Sequence, residues 1–290
     1  MHTISGPDRF AIKKKMKNLI ISTGVAFKKL HSAMAISISK LIMLMLLQIF
    51  TAYTFRVQGQ NIPLPEAEDL FINFVEKTGG QKAYDMIRNR LTKSKMVMSS
   101  MGITGEVTSY LAKPGLYHIS VDSTMIGKLE YGSDGKTVWD INPIMGPKVR
   151  EGIDRLRFRC LYTLDLPAQW RTAFKKIECT GVDTIEGRPA YKVTAVNQED
   201  YSMIYYFDKD SGLIVKMIFP LETLAGPSDM EIFYGDYKIS DGILYPHFQK
   251  SLEQERDITR TVFIVKHNVD IPENTFALPD VIKKIAGTVK

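Results

Sequence analysis

Only two cysteines occur in the 290 residues, Cys160 and Cys179, so the chain has no disulfide framework and no CxxC spacing for a metal or redox centre. Histidine is scarce too. Beyond residue 60 there are only His118, His247 and His267, with no spacing that places two ligands on one element. HExxH, GxSxG, the Walker loop and GxGxxG are missing from the same region, which removes the usual metalloprotease, α/β-hydrolase, nucleotide-hydrolase and dinucleotide readings. No catalytic residue, metal or cofactor is therefore expected. Solenoid repeats and low-complexity segments are also absent. No uncharged run reaches the roughly 20 residues that a membrane-crossing helix needs.

The longest uncharged run is LIMLMLLQIFTAYTF, residues 41–55, between Lys40 and Arg56. Lys13, Lys14, Lys15, Lys17, Lys28 and Lys29 precede it, with Asp8 as the single acid. A basic stretch followed by a short apolar core reads as a secretory leader. Val57-Gln58-Gly59 suits cleavage, so the mature chain is expected to begin at Gln60. The leader is long, and translation from Met16 or Met34 gives a shorter one than Met1; an uncleaved anchor is the alternative. No cysteine stands at the junction to take a lipid, so a soluble mature protein is expected.

Residues 1–59 hold nine of the 38 Lys and Arg and one of the 32 Asp and Glu. The formal charge of +6 thus belongs to the leader, and the remainder carries 29 basic against 31 acidic residues, a net charge of −2. A nucleic-acid surface is not expected.

Residues 60–290 read as one domain. IPLPEAEDLFINFVEKTGG predicts a helix: Pro65 and the acids Glu66, Glu68 and Asp69 suit its start, and Gly79 suits its end. Leu70, Phe71, Phe74 and Val75 form its apolar face. A short helix over 81–88 follows. The rest is mainly β, with strand patterns at 91–99, 104–112, 115–122, 125–131 and 135–140, and again at 175–184, 189–197, 202–208, 212–219, 229–238, 243–252 and 257–267. Ser133-Asp134-Gly135, Asp210-Ser211-Gly212 and Ser240-Asp241-Gly242 are turn chemistry between them. Such turns give an antiparallel meander. The interruption at 141–174 holds a Pro-Gly loop and two helices, near 152–161 and 166–173.

Methionine and aromatic side chains stand out. Met86, Met96, Met98, Met101, Met125, Met145, Met203, Met217 and Met230 suit irregular apolar space. Trp139, Phe158, Tyr162, Trp170, Phe174, Tyr205, Tyr206, Phe207 and Phe219 cluster around the insertion. An ordinary core explains any one of them. About eight strands already close a barrel filled by side chains, so a sheet of 11–12 strands is wide enough to curl around a cavity.

Five stretches, in order, carry a resemblance: EKTGGQKAYDMIRNR, YGSDGKTVWDINPIMGPKVREG, YFDKDSGLIVKM, YKISDGILYP and VKHNVDIPENTFALP. Over residues 66–279 the chain resembles bacterial outer-membrane lipoprotein-sorting proteins of the periplasmic lipoprotein-carrier (Lol-type) superfamily. The resemblance implies a mainly β, single curved antiparallel sheet forming an incomplete barrel, with helices over its open side. It further implies a periplasmic protein whose apolar cavity takes acyl chains of lipids or lipoproteins for transfer toward the outer membrane, with inner- and outer-membrane transfer partners and a monomeric state. The same scaffold serves periplasmic sensors that regulate anti-sigma factors, which is the alternative reading. A cavity enzyme needs His118 or His247 beside a carboxylate deep inside.

The residues expected to line cavity and lid are Met125, Leu129, Trp139, Ile144, Met145, Leu156, Phe158, Trp170 and Phe219. In the 141–152 loop Asn142-Pro143 and Gly146-Pro147 stiffen the turns, and Ile144 and Met145 are expected to point inward. Arg150, Arg155, Arg157 and Arg159 are expected at the rim, facing lipid phosphate or acidic partners; a solvated helix face is the plain alternative.

Overall fold

In the computed structural model the described residues are Lys40, 42–46, Gln48, 63–223, 226–254 and 256–288. The expected cleavage point lies outside them. The chain divides into two compact units, Met1–Pro63 and Leu64–Lys290. In the first, Lys40, 42–46 and Gln48 are helical, and no helix among the described residues is long and apolar enough to cross a membrane.

The second unit opens with helix α1, Ala67–Thr78. Glu68 and Asp69 occupy its first turn, and Leu70, Phe71, Phe74 and Val75 are buried along one side, as their spacing predicts. Gly79 ends it at φ +145°, where a Cβ would sit 2.9 Å from the Gly242 carbonyl oxygen and 2.8 Å from Ile243 Cδ1. Only glycine fits that approach. A short helix α2, Gln81–Met86, follows.

Six strands come next: β1 Asn89–Met98, β2 Ile103–Ala112, β3 Leu116–Ser123, β4 Gly127–Asp134, β5 Val138–Asn142 and β6 Gly146–Arg150. Helices α3, Gly152–Tyr162, and α4, Trp170–Ala173, are joined by a 3₁₀ turn at Leu166–Gln169. Seven strands then finish the sheet: β7 Phe174–Ile185, β8 Arg188–Asn197, β9 Ser202–Asp208, β10 Ile214–Thr223, β11 Gly226–Ser240, β12 Ile243–Glu253 and β13 Arg256–His267. Helix α5, Asp280–Thr288, packs against β6.

All thirteen strands form one antiparallel sheet in the order β6-β5-β4-β3-β2-β1-β13-β12-β11-β10-β9-β8-β7. The sheet does not close, so the expectation of an incomplete barrel holds, with thirteen strands in place of 11–12. The additional strand is β6, Gly-Pro-Lys-Val-Arg, which reads as a loop because Pro147 cannot donate to a ladder. It lies at the sheet's edge, where that missing donor costs little. The expected 141–152 loop is thus the β5–β6 hairpin, and Ile144 and Met145 at its tip are 76% and 86% exposed, not inward-facing.

Topology dictates the cover. β6 and β7 are the two edges of the sheet, so the segment that joins them, 151–173, has to cross the open side. Helix α3 accordingly touches β5 on one wing and β10 on the other. Bulges at Lys93/Ser94, Cys179/Gly181 and Ile214/Lys216 bend the strands beneath it. Both cysteines are free, Cys160 buried on α3 and Cys179 half-buried on β7.

Candidate functional site

Two apolar clusters occupy the concave side. The first joins α1 and α4 to the β7–β12 wing: Phe71 stands 5.1–6.0 Å, ring centre to ring centre, from Phe207, Tyr205, Trp170 and Phe174. The second joins Met96, Val107, Tyr117, Ile119, Val121 and Val138 of the β1–β5 wing to Phe158 of α3. Leu156, two residues earlier on α3, packs on the first cluster. Helix α3 is therefore a wedge, with Ile153, Leu156, Cys160 and Leu161 in the first cluster and Phe158 and Tyr162 in the second.

Between the clusters the concave face is aromatic and polar. Tyr162, at the end of α3, and Tyr234 on β11 are enclosed by protein yet keep part of their surface open. Tyr237 and Tyr131 behave alike. Burial pushes all four phenols above the ordinary tyrosine range, so they stay protonated donors at neutral pH.

Ion pairs fasten α3. Arg150 Nε donates to Asp140 on β5 at 2.6 Å, and its Nη1 to Asp154 on α3 at 2.9 Å. Arg157, 7% exposed, reaches Asp154 at 3.1 Å and lies 3.9 Å from Glu253 on β12. Their guanidinium groups lie 4.5 and 5.0 Å from the centre of the Phe158 ring. Arg155 and Arg159 both hold Glu199 at 2.6 Å. The expected rim arginines are thus bound to carboxylates of the sheet and of the lid itself.

Deeper down, the segment after α3 is anchored by Arg90 of β1, whose Nη2 donates to Asp165 and whose Nε donates to His267 Nε2 at 2.9 Å. Because that nitrogen accepts, the ring carries its proton on Nδ1, which faces Asp241 at 3.9 Å. Burial and the adjacent Arg90 charge pull the His267 pKa down to about 4, against the opposing pull of Asp165 and Asp241. A histidine depressed below its unfolded value near 6.5 contributes stability that is complete above that value and is lost as pH falls toward 4. Urea unfolding at pH 7 and pH 5 should show a loss of at most about 2 kcal/mol from this residue, and His267→Asn should remove that part of the pH dependence. An unchanged profile in the variant would place the titration elsewhere.

Of the nine expected lining residues, Leu129, Leu156, Phe158, Trp170 and Phe219 come together on the concave side. Met125, 64% exposed, lies in the β3–β4 turn, and Ile144 and Met145 at the β5–β6 tip. Trp139 lies on the other face. Its neighbour Val138 faces the second cluster, so alternation turns the indole outward, where it lies flat on Gly132; a Cβ there would be 2.3 Å from the ring. With His118, Tyr110, Glu130 and the segment Glu273–Asp280, Trp139 borders a recess of about 530 Å³ on the convex side. There His118 Nε2 lies 3.2 Å from Glu130, on the face away from α3. Burial lowers the imidazole's pKa despite the carboxylate. Among the described residues no cluster of three or more His, Cys, Asp or Glu is placed to hold a metal.

An open antiparallel sheet, curled around helices that span its mouth, defines the LolA-like fold. Among solved structures, a DUF1329 family protein from Desulfovibrio piger ATCC 29098 shares it, at 11% identity and a TM-score of 0.51 over 73% of this chain and 98% of its own. So does the LolA superfamily protein NE2245 from Nitrosomonas europaea, at 10% identity and a TM-score of 0.50 over 74% and 99%. A Vibrio parahaemolyticus domain provisionally named an outer-membrane lipoprotein-sorting protein aligns at 12% identity and 0.49 over 73% and 97%. No family model and no curated protein matches the sequence. At these identities the likeness is one of fold, and at that level the resemblance seen in the sequence holds.

Proposed function

We propose that residues 1–59 are an export leader and that the remainder is a periplasmic carrier, holding acyl chains of lipids or lipoproteins beneath α3 for transfer toward the outer membrane. The observation that carries this reading is the wedge: one helix, connected to the sheet at both edges, places Leu156 and Phe158 in opposite wings, over the concave face that would receive the chain. An acyl chain gains about 0.8 kcal/mol per CH₂ withdrawn from water, so a sixteen-carbon chain amounts to roughly 12 kcal/mol before costs. Transport demands that this gain be reversible. The lid supplies the competitor, because closing it buries its own apolar groups in the space a chain would fill. Its ion pairs break on opening and re-form on closing. Membrane-bound donor and acceptor proteins would load and unload such a carrier.

Extraction of the protein purified from its native compartment, followed by mass spectrometry, tests the reading. Acyl species at near-equal molar ratio are expected; a polar metabolite in their place, or no acyl species at any stage of purification, would defeat it.

A further inference from the structure

The arginines of the concave side and lid differ in one respect. Arg90, Arg150 and Arg157 each hold a carboxylate. Arg260 does not. Its Nε and Nη2 both donate to Ser94 Oγ, at 3.4 and 3.2 Å, and among the described residues no carboxylate lies within 4.0 Å of it. A guanidinium has five N–H donors in a fixed fork; one hydroxyl oxygen receives two of Arg260's, and the remaining three have no protein acceptor among the described residues.

Register places this group. β13 is the seventh of thirteen strands, and Arg260 stands opposite Met96 of β1 on one side and Gln249 of β12 on the other. Met96 belongs to the second apolar cluster, and the Ser94 that Arg260 contacts is fully buried, so the side chain lies on the concave face. Gln249 in turn stands opposite Tyr234. The Arg260 charge opposes the burial-driven rise of the Tyr162 and Tyr234 pKa values, which places both phenols in its field. The middle of the concave face thus holds one half-buried cation with no carboxylate partner among the described residues, in electrostatic reach of two protonated tyrosines.

An uncompensated charge on a partly covered face is costly to enclose further and is best tolerated where something neutralises it. The guanidinium fork matches the paired oxygens of a carboxylate or phosphate, and the tyrosine hydroxyls add donors of the same kind. On either side of this spot the face is apolar, with Met96, Met98 and Ile258 toward one cluster and Ile232 and Met230 toward the other. We infer that the cargo is an amphiphile with a compact oxyanion head, carboxylate or phosphate, which enters beneath α3 head-first and pairs with Arg260 while its tail lies on the apolar flanks. This deepens the carrier reading and rests on it: the charged end is read inside the protein, where a general acyl carrier would leave it in water.

The test is calorimetric titration of the full chain with palmitate, methyl palmitate, 1-palmitoyl-lysophosphatidate and inorganic phosphate, using wild type and Arg260→Met. Wild type should bind one or both anionic amphiphiles at least about 10-fold more tightly than the ester, and Arg260→Met should abolish that preference while leaving the ester's affinity unchanged. Which acid is preferred separates a carboxylate head from a phosphate head. Equal affinity of wild type for acids and ester overturns the inference and leaves the carrier reading intact. Binding of inorganic phosphate with no binding of either acid overturns it too, since the site would then serve a free anion. No binding of any amphiphile removes the carrier reading and this inference together. The acid-against-ester comparison in wild type needs no variant, so a poorly folded Arg260→Met leaves the outcome decisive.

Discussion

Arg90→Met is expected to destabilise the protein by about 3–5 kcal/mol, the cost of stranding a buried charge whose partner has been removed. The stranded group is the Asp165 carboxylate, whose side chain is 8% exposed and which already has one oxygen, Oδ2, without a hydrogen-bond partner. A thioether in place of the guanidinium would offer no donor, and His267 Nε2 would lose its hydrogen bond as well. Adding Asp165→Asn to the first substitution should restore much of the stability, because a neutral amide leaves no charge to solvate and tolerates the left-handed backbone of residue 165, at φ 53°. Urea unfolding of the two single variants and the double variant gives the comparison. A double variant as unstable as Arg90→Met alone would mean that Arg90 acts through packing, including the Tyr245 ring 4.7 Å beneath it. Asp165 lies just beyond α3, so Arg90→Met should also speed hydrogen exchange in 152–162 more than in β1 and β2.

How much of this could be read from the sequence depends on the range of the forces involved. Turn chemistry is local and was legible. Asp134 Oδ1 accepts the Lys136 and Thr137 amides, Asp208 Oδ1 accepts that of Ser211, and Gly135, Gly212 and Gly242 take positive φ. Asp134 and Asp208 thus serve their local backbone, whereas Asp241 accepts the amide of His267, 26 residues on. The α1 face and the crossing helix followed from periodicity and from the interruption at 141–174. The face of Trp139 did not. Val138, Trp139 and Asp140 are all buried, so burial does not alternate along the five-residue strand although its faces do, and the C-terminal segment that lies over the indole is more than 130 residues away. Arg260 was hidden for the opposite reason. Alternation in Ile-Thr-Arg-Thr-Val does set Arg260 on the face of Ile258 and Val262, but only its register against Met96 shows what that face meets. The His267–Arg90–Asp165 cluster likewise joins three regions with no local pattern in common.

Phe158→Ala is expected to weaken the fold and strengthen ligand binding at once, a combination that separates a lid from a wall. Phe158 is buried in the second cluster, 5.9 Å from Tyr131 and 5.7 Å from Tyr162, ring centre to ring centre. Truncating a buried phenylalanine costs about 3–5 kcal/mol, which lowers the urea midpoint. Part of that loss falls on lid closure alone, since an open α3 would already have withdrawn the ring. Apparent affinity is the intrinsic affinity of the open state reduced by the fraction of protein held closed. Weakening closure by about 1.4–2.8 kcal/mol should therefore raise acyl affinity roughly 10- to 100-fold, measured by titration with a palmitoyl lipid. Phe219→Ala is the control. Phe219 lies in the first cluster on β10, a strand of the sheet itself, so its removal should cost comparable stability with no gain in affinity. If Phe158→Ala loses affinity in step with stability, the ring is a surface on which the ligand rests. If it gains, the protein stores in its own lid the work needed to release its cargo.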